Sequence, residues 1–297
     1  MLLAATASAL WGRPSLAGET VAVTASFSIL ADLVRVVGAD RVKVRTLVGP
    51  NEDAHVFEPR PAHAKTLLSS RLVVTNGLGF EPWAAKLIQA AGYQGAVIVA
   101  STGVKARNMA HSPDHSGHAQ HEVDPHAWQN PLNVVIYVRN IAQALTKVDP
   151  AGAAQYQASA QAYAKELVAL DQWTRAQISA IPQDKRKVIT SHDAFGYFAA
   201  QYGVKFLAPQ GMNTDAEPSA QQVARLVRQM RREKIRAVFV ENMSTPRLIA
   251  QLGQDAAATV GPSLYSDALS AQDQPGATYV EMMQHNVRAL VAGMQVN

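Results

Sequence analysis

Residues 149–182 read DPAGAAQYQASAQAYAKELVALDQWTRAQISAIP. Asp149 and Pro150 suit an N-cap and a first helical position, and Pro182 stops the run. Between them Ala, Gln, Lys and Glu dominate, all strong helix formers. Tyr156, Tyr163, Leu167, Leu170 and Trp173 recur at helical spacing and form one apolar stripe. The pattern predicts a helix of about 32 residues, roughly 48 Å long at ~1.5 Å per residue. Such a helix can lie across two domains, dividing the chain into residues 18–148 and 183–297.

Outward from this helix, both parts alternate short apolar runs with helical patterns. Before it come strand-like segments at 21–24, 42–48, 72–75 and 96–100, with helices near 29–37, 62–68, 83–91 and 131–147. After it come strands at 188–190, 204–207, 237–240 and 263–265, with helices near 195–202, from 219, from 246 and at 279–294. Ser219 with Gln222 reads as a capping box, and Thr245-Pro246 as a helix start. Strands alternating with helices argue for the α/β class, with mostly parallel sheets covered by helices. Residues 108–123 break the rhythm: they are polar, His-rich and without periodicity, and read as a loop.

The chain has 297 residues, 48% apolar and 17% charged, which suits a globular protein large enough for two domains. Its formal charge is +4. Arg228, Arg231, Arg232, Lys234 and Arg236 cluster but alternate with Val227, Met230 and Ile235 and include Glu233, so they read as a solvated helix face, not a nucleic-acid patch. Residues 1–17 are apolar, then small, and resemble a secretory signal peptide; the positively charged leader is missing, which leaves the true start open. There is no cysteine, which excludes disulfides, thiolate ligands and a lipid on cysteine. The expected location is the periplasm, soluble and without a lipid anchor.

In parallel sheets, ligands bind beyond the C-terminal ends of strands. His55, His126, His192 and Asp267 all fall at such positions, two in each half. Any one of them alone reads more readily as an ordinary satisfied polar residue; the joint arrangement of four is what points to a metal. The segments around them are distinctive: Gly49-Pro50-Asn51-Glu52-Asp53-Ala54-His55-Val56-Phe57-Glu58-Pro59, Asn76-Gly77-Leu78-Gly79-Phe80-Glu81-Pro82-Trp83, Asp124-Pro125-His126-Ala127-Trp128, Ser191-His192-Asp193-Ala194-Phe195-Gly196-Tyr197-Phe198, Glu217-Pro218-Ser219 and Leu264-Tyr265-Ser266-Asp267-Ala268. In this order they resemble the metal-binding proteins of zinc and manganese ABC importers.

That resemblance implies two α/β lobes joined by one long rigid linker helix, with one metal ion between them. It implies His55, His126, His192 and Asp267 as ligands and an ABC transporter permease as partner; a periplasmic zinc donor is a further candidate partner, and because a single long helix resists bending, small domain movements and mainly loop rearrangement are expected on metal loss. A monomer is expected, and no nucleic acid. His192 stands where zinc-binding relatives carry His and manganese- or iron-binding ones carry Glu. Three imidazoles and a carboxylate suit four-coordinate Zn²⁺; Asp267 keeps Mn²⁺ as the alternative. Imidazoles protonate near ~6.5, so acid should release the metal. Asp124, Glu58, Asp193 and Glu241 are candidates to orient the imidazoles, with local packing the other reading for Glu58 and helix capping for Asp193. His111, His115, His118 and His121, with Asp114 and Glu122 nearby, form a possible auxiliary metal loop. His63 and His285 read as surface residues. The competing class is a metallohydrolase, which keeps an open coordination position for water; four protein ligands leave none, and no enzyme is expected.

Overall fold

The computed structural model describes residues 20–108 and 123–297. The signal-like segment and His111, His115, His118 and His121 lie outside the described residues. Eight strands are described: β1 (Val21–Phe27), β2 (Val42–Val48), β3 (Leu72–Thr75), β4 (Ala96–Val99), β5 (Lys187–Ile189), β6 (Lys205–Leu207), β7 (Ala237–Val238) and β8 (Thr259–Val260). Nine helices accompany them: α1 (Ser28–Gly38), α2 (Pro61–Leu68), α3 (Pro82–Ala90), α4 (Pro131–Val148), α5 (Ala153–Ser179), α6 (Gly196–Tyr202), α7 (Ala220–Glu233), α8 (Pro246–Ala256) and α9 (Tyr279–Gln295).

The strands form two parallel sheets, ordered β2-β1-β3-β4 and β6-β5-β7-β8. Numbered from each half's first strand, the two orders are identical. Each sheet therefore reverses direction beside its first strand, opening a crevice at the strands' C-terminal ends. β1 and β3 are buried almost throughout, as central parallel strands covered on both faces must be.

The long helix is shorter than its sequence suggests. α5 has 27 residues, about 40 Å, preceded by a 3₁₀ turn at Pro150–Gly152. Asp149 does not cap it. Its Oδ2 instead accepts from Arg41 Nε (2.9 Å), Arg41 Nη2 (2.7 Å) and Tyr156 Oη (2.5 Å). A charged pair reaching back to the first half outweighs a local cap. The buried stripe of α5 runs through Tyr156, Tyr163, Leu167, Leu170, Thr174 and Ile178. Trp173 sits off it, under the Arg288 guanidinium at 5.7 Å. The helix packs on α1 and α4 at one end and on α6 and α9 at the other.

The apolar core does not divide by half. One cluster runs from β1 and α1 through α5 to Phe195, Phe239 and Leu264. A smaller one, built on Leu226, Met230, Ile249 and Leu252, lies under α7 and α8. The strand expected at 263–265 is also displaced. β8 lies earlier, at Thr259–Val260, and Leu264 makes a single parallel bridge with Glu241. Pro262, which lacks an N–H, separates the two pairings. Ser219 and Gln222 form the expected capping box, whereas Thr245 makes no side-chain cap.

Candidate metal centre

The loop after β2 carries His55. Its turn is closed by Glu52, which accepts the Gly49 N–H at 2.6 Å, and by Asp53, whose Oδ1 accepts the His55 N–H at 2.8 Å. Trp83 Nε1 donates to the Ala54 carbonyl at 2.8 Å and pins the loop to α3. Behind the ring lies an aromatic floor of Phe27, Phe80 and Trp128, fully buried, with centroids 4.7–5.1 Å apart. Phe80 meets His55 edge-on at 4.8 Å. This floor excludes water and lowers the local dielectric.

His126 repeats the Asp-x-His arrangement. Asp124 Oδ1 accepts both the His126 backbone N–H (3.0 Å) and contacts its Nδ1 at 2.9 Å. A carboxylate there fixes the proton on Nδ1 and turns the Nε2 lone pair inward. Asp124 is itself buried, with the Arg107 guanidinium 3.8 Å from Oδ2. The N-terminus of α6 crosses so close that a Cβ on Gly196 would sit 2.3 Å from the same oxygen.

From the second half, His192 follows β5 and Glu241 follows β7. Glu241 Oε1 accepts the His192 N–H at 3.0 Å, while Oε2 lies 2.5 Å from His192 Nδ1 and accepts from Ser266 Oγ at 2.6 Å. Asp267 is placed by the first half: Trp128 Nε1 and Gln129 Nε2 both donate to the Ser266 carbonyl at 2.8 Å.

These elements bring His55, His126, His192 and Asp267 together, with one possible ligand atom from each, all within 4.8 Å of one another. His55 and His126 approach at 3.3 Å between their Nε2 atoms. Asp267 Oδ2 lies 3.1 Å from His55 Nε2 and 3.0 Å from His192 Nε2, and Oδ1 lies 3.7 Å from His126 Nε2. A tetrahedral Zn²⁺ with bonds of ~2.0–2.1 Å requires ligand atoms about 3.3 Å apart, so these spacings bracket that edge. The His192 ring nitrogens and Asp267 Oδ1 are buried without hydrogen bonds; their close neighbours lie off the hydrogen-bond axes. Buried polar atoms left this way are rare; His192 Nδ1 points back at Glu241, whereas His192 Nε2 and Asp267 Oδ1 lie toward the other members of a ligand set that fits a divalent cation.

Burial opposes charge on His192, but Glu241 and Asp267 outweigh it and hold the imidazole well above its ordinary range. Burial likewise favours a neutral Asp267, but His192 and His126 outweigh it and hold the carboxyl well below its usual range. Protonation of His192 therefore begins at higher pH than the unperturbed imidazole value implies.

Two orienting candidates do not reach the centre. Glu58 is exposed, because Pro59 and Pro61 lead the chain out onto α2. Asp193 touches neither imidazole as a hydrogen-bond partner nor caps α6, whose N-cap is Phe195; its backbone N–H donates to the Gly211 carbonyl at 3.1 Å, and burial raises its pKa. His63 Nδ1 accepts the Arg60 N–H at the start of α2, and His285 Nε2 lies 2.8 Å from the Ser263 carbonyl. Sequence reasoning missed Asp53, whose Oδ2 also accepts from Thr214 Oγ1 at 2.6 Å across the cleft. The shared Asp-x-His spacing at 53–55 and 124–126 was the available signal. It missed Trp128, Gln129 and Gly196 as well, whose roles depend on contacts between halves.

A family model described as zinc-uptake complex component A, periplasmic, matches residues 23–293. The iron-binding protein YfeA of Yersinia pestis is 31% identical over 98% of this chain and 92% of its own. The manganese-binding lipoprotein MntA of Halalkalibacterium halodurans is 30% identical over 93% and 89%. Among solved structures, the periplasmic zinc-binding protein TroA of Treponema pallidum superposes with a TM-score of 0.85 at 26% identity, covering 93% of this chain and 99% of that one. A manganese-bound periplasmic metal-binding protein from Candidatus Liberibacter asiaticus gives 0.80 at 28% identity, covering 93% and 100%. With the match spanning both sheets and all four converging side chains, the chain belongs to the family of zinc-uptake component A, the periplasmic metal-binding proteins of ABC transporters.

Proposed function

We propose that the protein binds one Zn²⁺ between its lobes through His55, His126, His192 and Asp267 and delivers it to the membrane permease of an ABC-type importer. One observation carries the reading: three imidazole nitrogens and a carboxylate converge in a buried centre, all within 4.8 Å and several of them 3.0–3.3 Å apart. Carboxylates behind His126 and His192 strengthen those imidazoles as ligands. Four protein groups fill a tetrahedral shell and leave no position for an activated water, which favours carriage over hydrolysis. The family's periplasmic description supports an exported protein, and no described helix is long and apolar enough to cross a membrane.

A second reading rests on Asp267. Both its oxygens face imidazoles, so bidentate coordination would raise the ligand count toward what Mn²⁺ prefers. Relatives named for manganese and iron agree with that reading. The test is direct. Metal-free protein is offered Zn²⁺ and Mn²⁺ in competition, and bound metal per chain is measured. One Zn²⁺ per chain is expected; one Mn²⁺ per chain overturns the zinc assignment while leaving the site intact. Replacing His192 with Ala should abolish tight binding of either metal.

A further inference from the structure

We infer that the arginine face of α7 is an interaction surface for an anionic phospholipid bilayer. Residues 225–236 hold six positive side chains, Arg225, Arg228, Arg231, Arg232, Lys234 and Arg236, against the single Glu233, a net +5. The whole chain is +4, so all its other residues together carry −1. The excess positive charge of the molecule is thus confined to one helix and the turn that follows it.

The structure sets this charge on one side. Leu226, Val227 and Met230 bury the inner face of α7 against α8 and the second sheet. Arg225, Arg228 and Arg232 recur at spacings of three and four and point the opposite way. They span about 10 Å along the helix axis, and Arg236 extends the basic surface past the helix end. The two acids beside the C-terminal part of this face, Glu233 and Asp255, are engaged by other groups. Glu233 is taken by Lys187, Lys205 and Gln229. Asp255 gives its carbonyl to Arg231 and its carboxylate to Gln251. Helix-dipole complementarity would explain Arg231 and Arg232 in the last turn, but not Arg225 or Arg228.

The surface lacks the anatomy of a protein–protein hot spot. Such interfaces are anchored by buried aromatic or apolar side chains. Among the described residues no large hydrophobic side chain is exposed on α7. What remains is a row of guanidinium groups, which suit bidentate contact with phosphate. A delocalised anionic sheet satisfies it without shape complementarity. α7 belongs to the outer layer of the second lobe, packed on α8. A carrier held loosely at the bilayer searches for its permease in two dimensions.

Each basic residue at an anionic surface contributes roughly five-fold in partitioning, and salt screens it. The test is cosedimentation of the full chain with vesicles of phosphatidylcholine alone and of phosphatidylcholine containing about one-third phosphatidylglycerol. The expected result is binding only to the anionic vesicles, loss at high salt, and about a hundred-fold weaker binding for the triple variant Arg228→Gln, Arg232→Gln, Arg236→Gln. A control with the same charge change on exposed lysines of the other lobe, Lys43→Gln, Lys65→Gln, Lys86→Gln, should bind within a few-fold of wild type. Equal binding to neutral vesicles, equal losses in both triple variants, or retention on a polyglutamate matrix without vesicle binding would each overturn the inference. Zn²⁺ binding by the triple variants is measured in parallel and should be unchanged, so failure here is distinguishable from failure of the zinc assignment.

Discussion

Replacing Glu241 with Gln isolates how the protein tunes one imidazole. Gln keeps the size but only one acceptor oxygen, which can serve the His192 N–H or Ser266 Oγ, not both. It removes the negative charge 2.5 Å from His192 Nδ1. Losing a carboxylate that supports a metal-bound histidine typically costs 10–100-fold in affinity, about 1.4–2.7 kcal/mol. The same charge also raises the affinity of His192 for a proton, and that proton competes with the metal. Below the raised pKa of His192, wild-type protein must expel a proton to bind Zn²⁺, so its apparent affinity climbs with pH. In Glu241→Gln that pKa falls, so less competition remains at low pH. The variant should therefore lose about 10–100-fold near pH 8.5 but distinctly less near pH 6. Chelator-competition titrations across that range read both numbers. A loss equal at every pH, or one below three-fold throughout, would refute the argument that Glu241 acts through His192.

Three further outcomes follow from features away from the ligand atoms. Gly196→Ala should weaken Zn²⁺ binding by about ten-fold, because its Cβ would press on Asp124 and loosen His126; isothermal titration checks this, and unchanged affinity would mean that the helix yields. Asp32 is buried with its pKa pushed up to about 6, chiefly by desolvation, although it accepts the Tyr279 N–H at 2.9 Å. A raised carboxyl pKa makes the charged form a liability above it, so Asp32→Asn should add about 2 kcal/mol at pH 8 and almost nothing at pH 4, read from denaturant midpoints. Asn297 donates to the Lys185 and Lys187 carbonyls and accepts the Arg236 and Ala237 N–H groups. Asn297→Ala should cost about 2 kcal/mol in thermal unfolding while leaving metal affinity unchanged.

Most of the architecture was legible because period carries it. Strands β2 and β3 match their apolar patterns residue for residue, and α4 extends only one residue past expectation. The failures share a cause. Asp149 looked like a cap because capping is local, but Arg41, 108 positions away, claimed its carboxylate. The last strand was misplaced because two-residue strands give no period to read. Glu58 was proposed on proximity in sequence to His55, yet the turn at His55 and Val56 leads it out to solvent.

By itself the sequence determined the α/β rhythm, the long helix between two similar halves, and four candidate side chains. These follow from hydrophobic period, helix propensity and local motif, all encoded within short windows. Only the tertiary structure decided that those side chains meet within 4.8 Å, that Asp124 and Glu241 rather than Glu58 stand behind the imidazoles, and that Trp128 and Gln129 of one lobe set the position of Asp267 on the other. Asp124 is only two residues from His126, but the other contacts join residues tens to more than a hundred positions apart, and no local pattern records them. The distances that distinguish a metal site from four scattered polar residues arise only when helices of both halves pack against the same long helix.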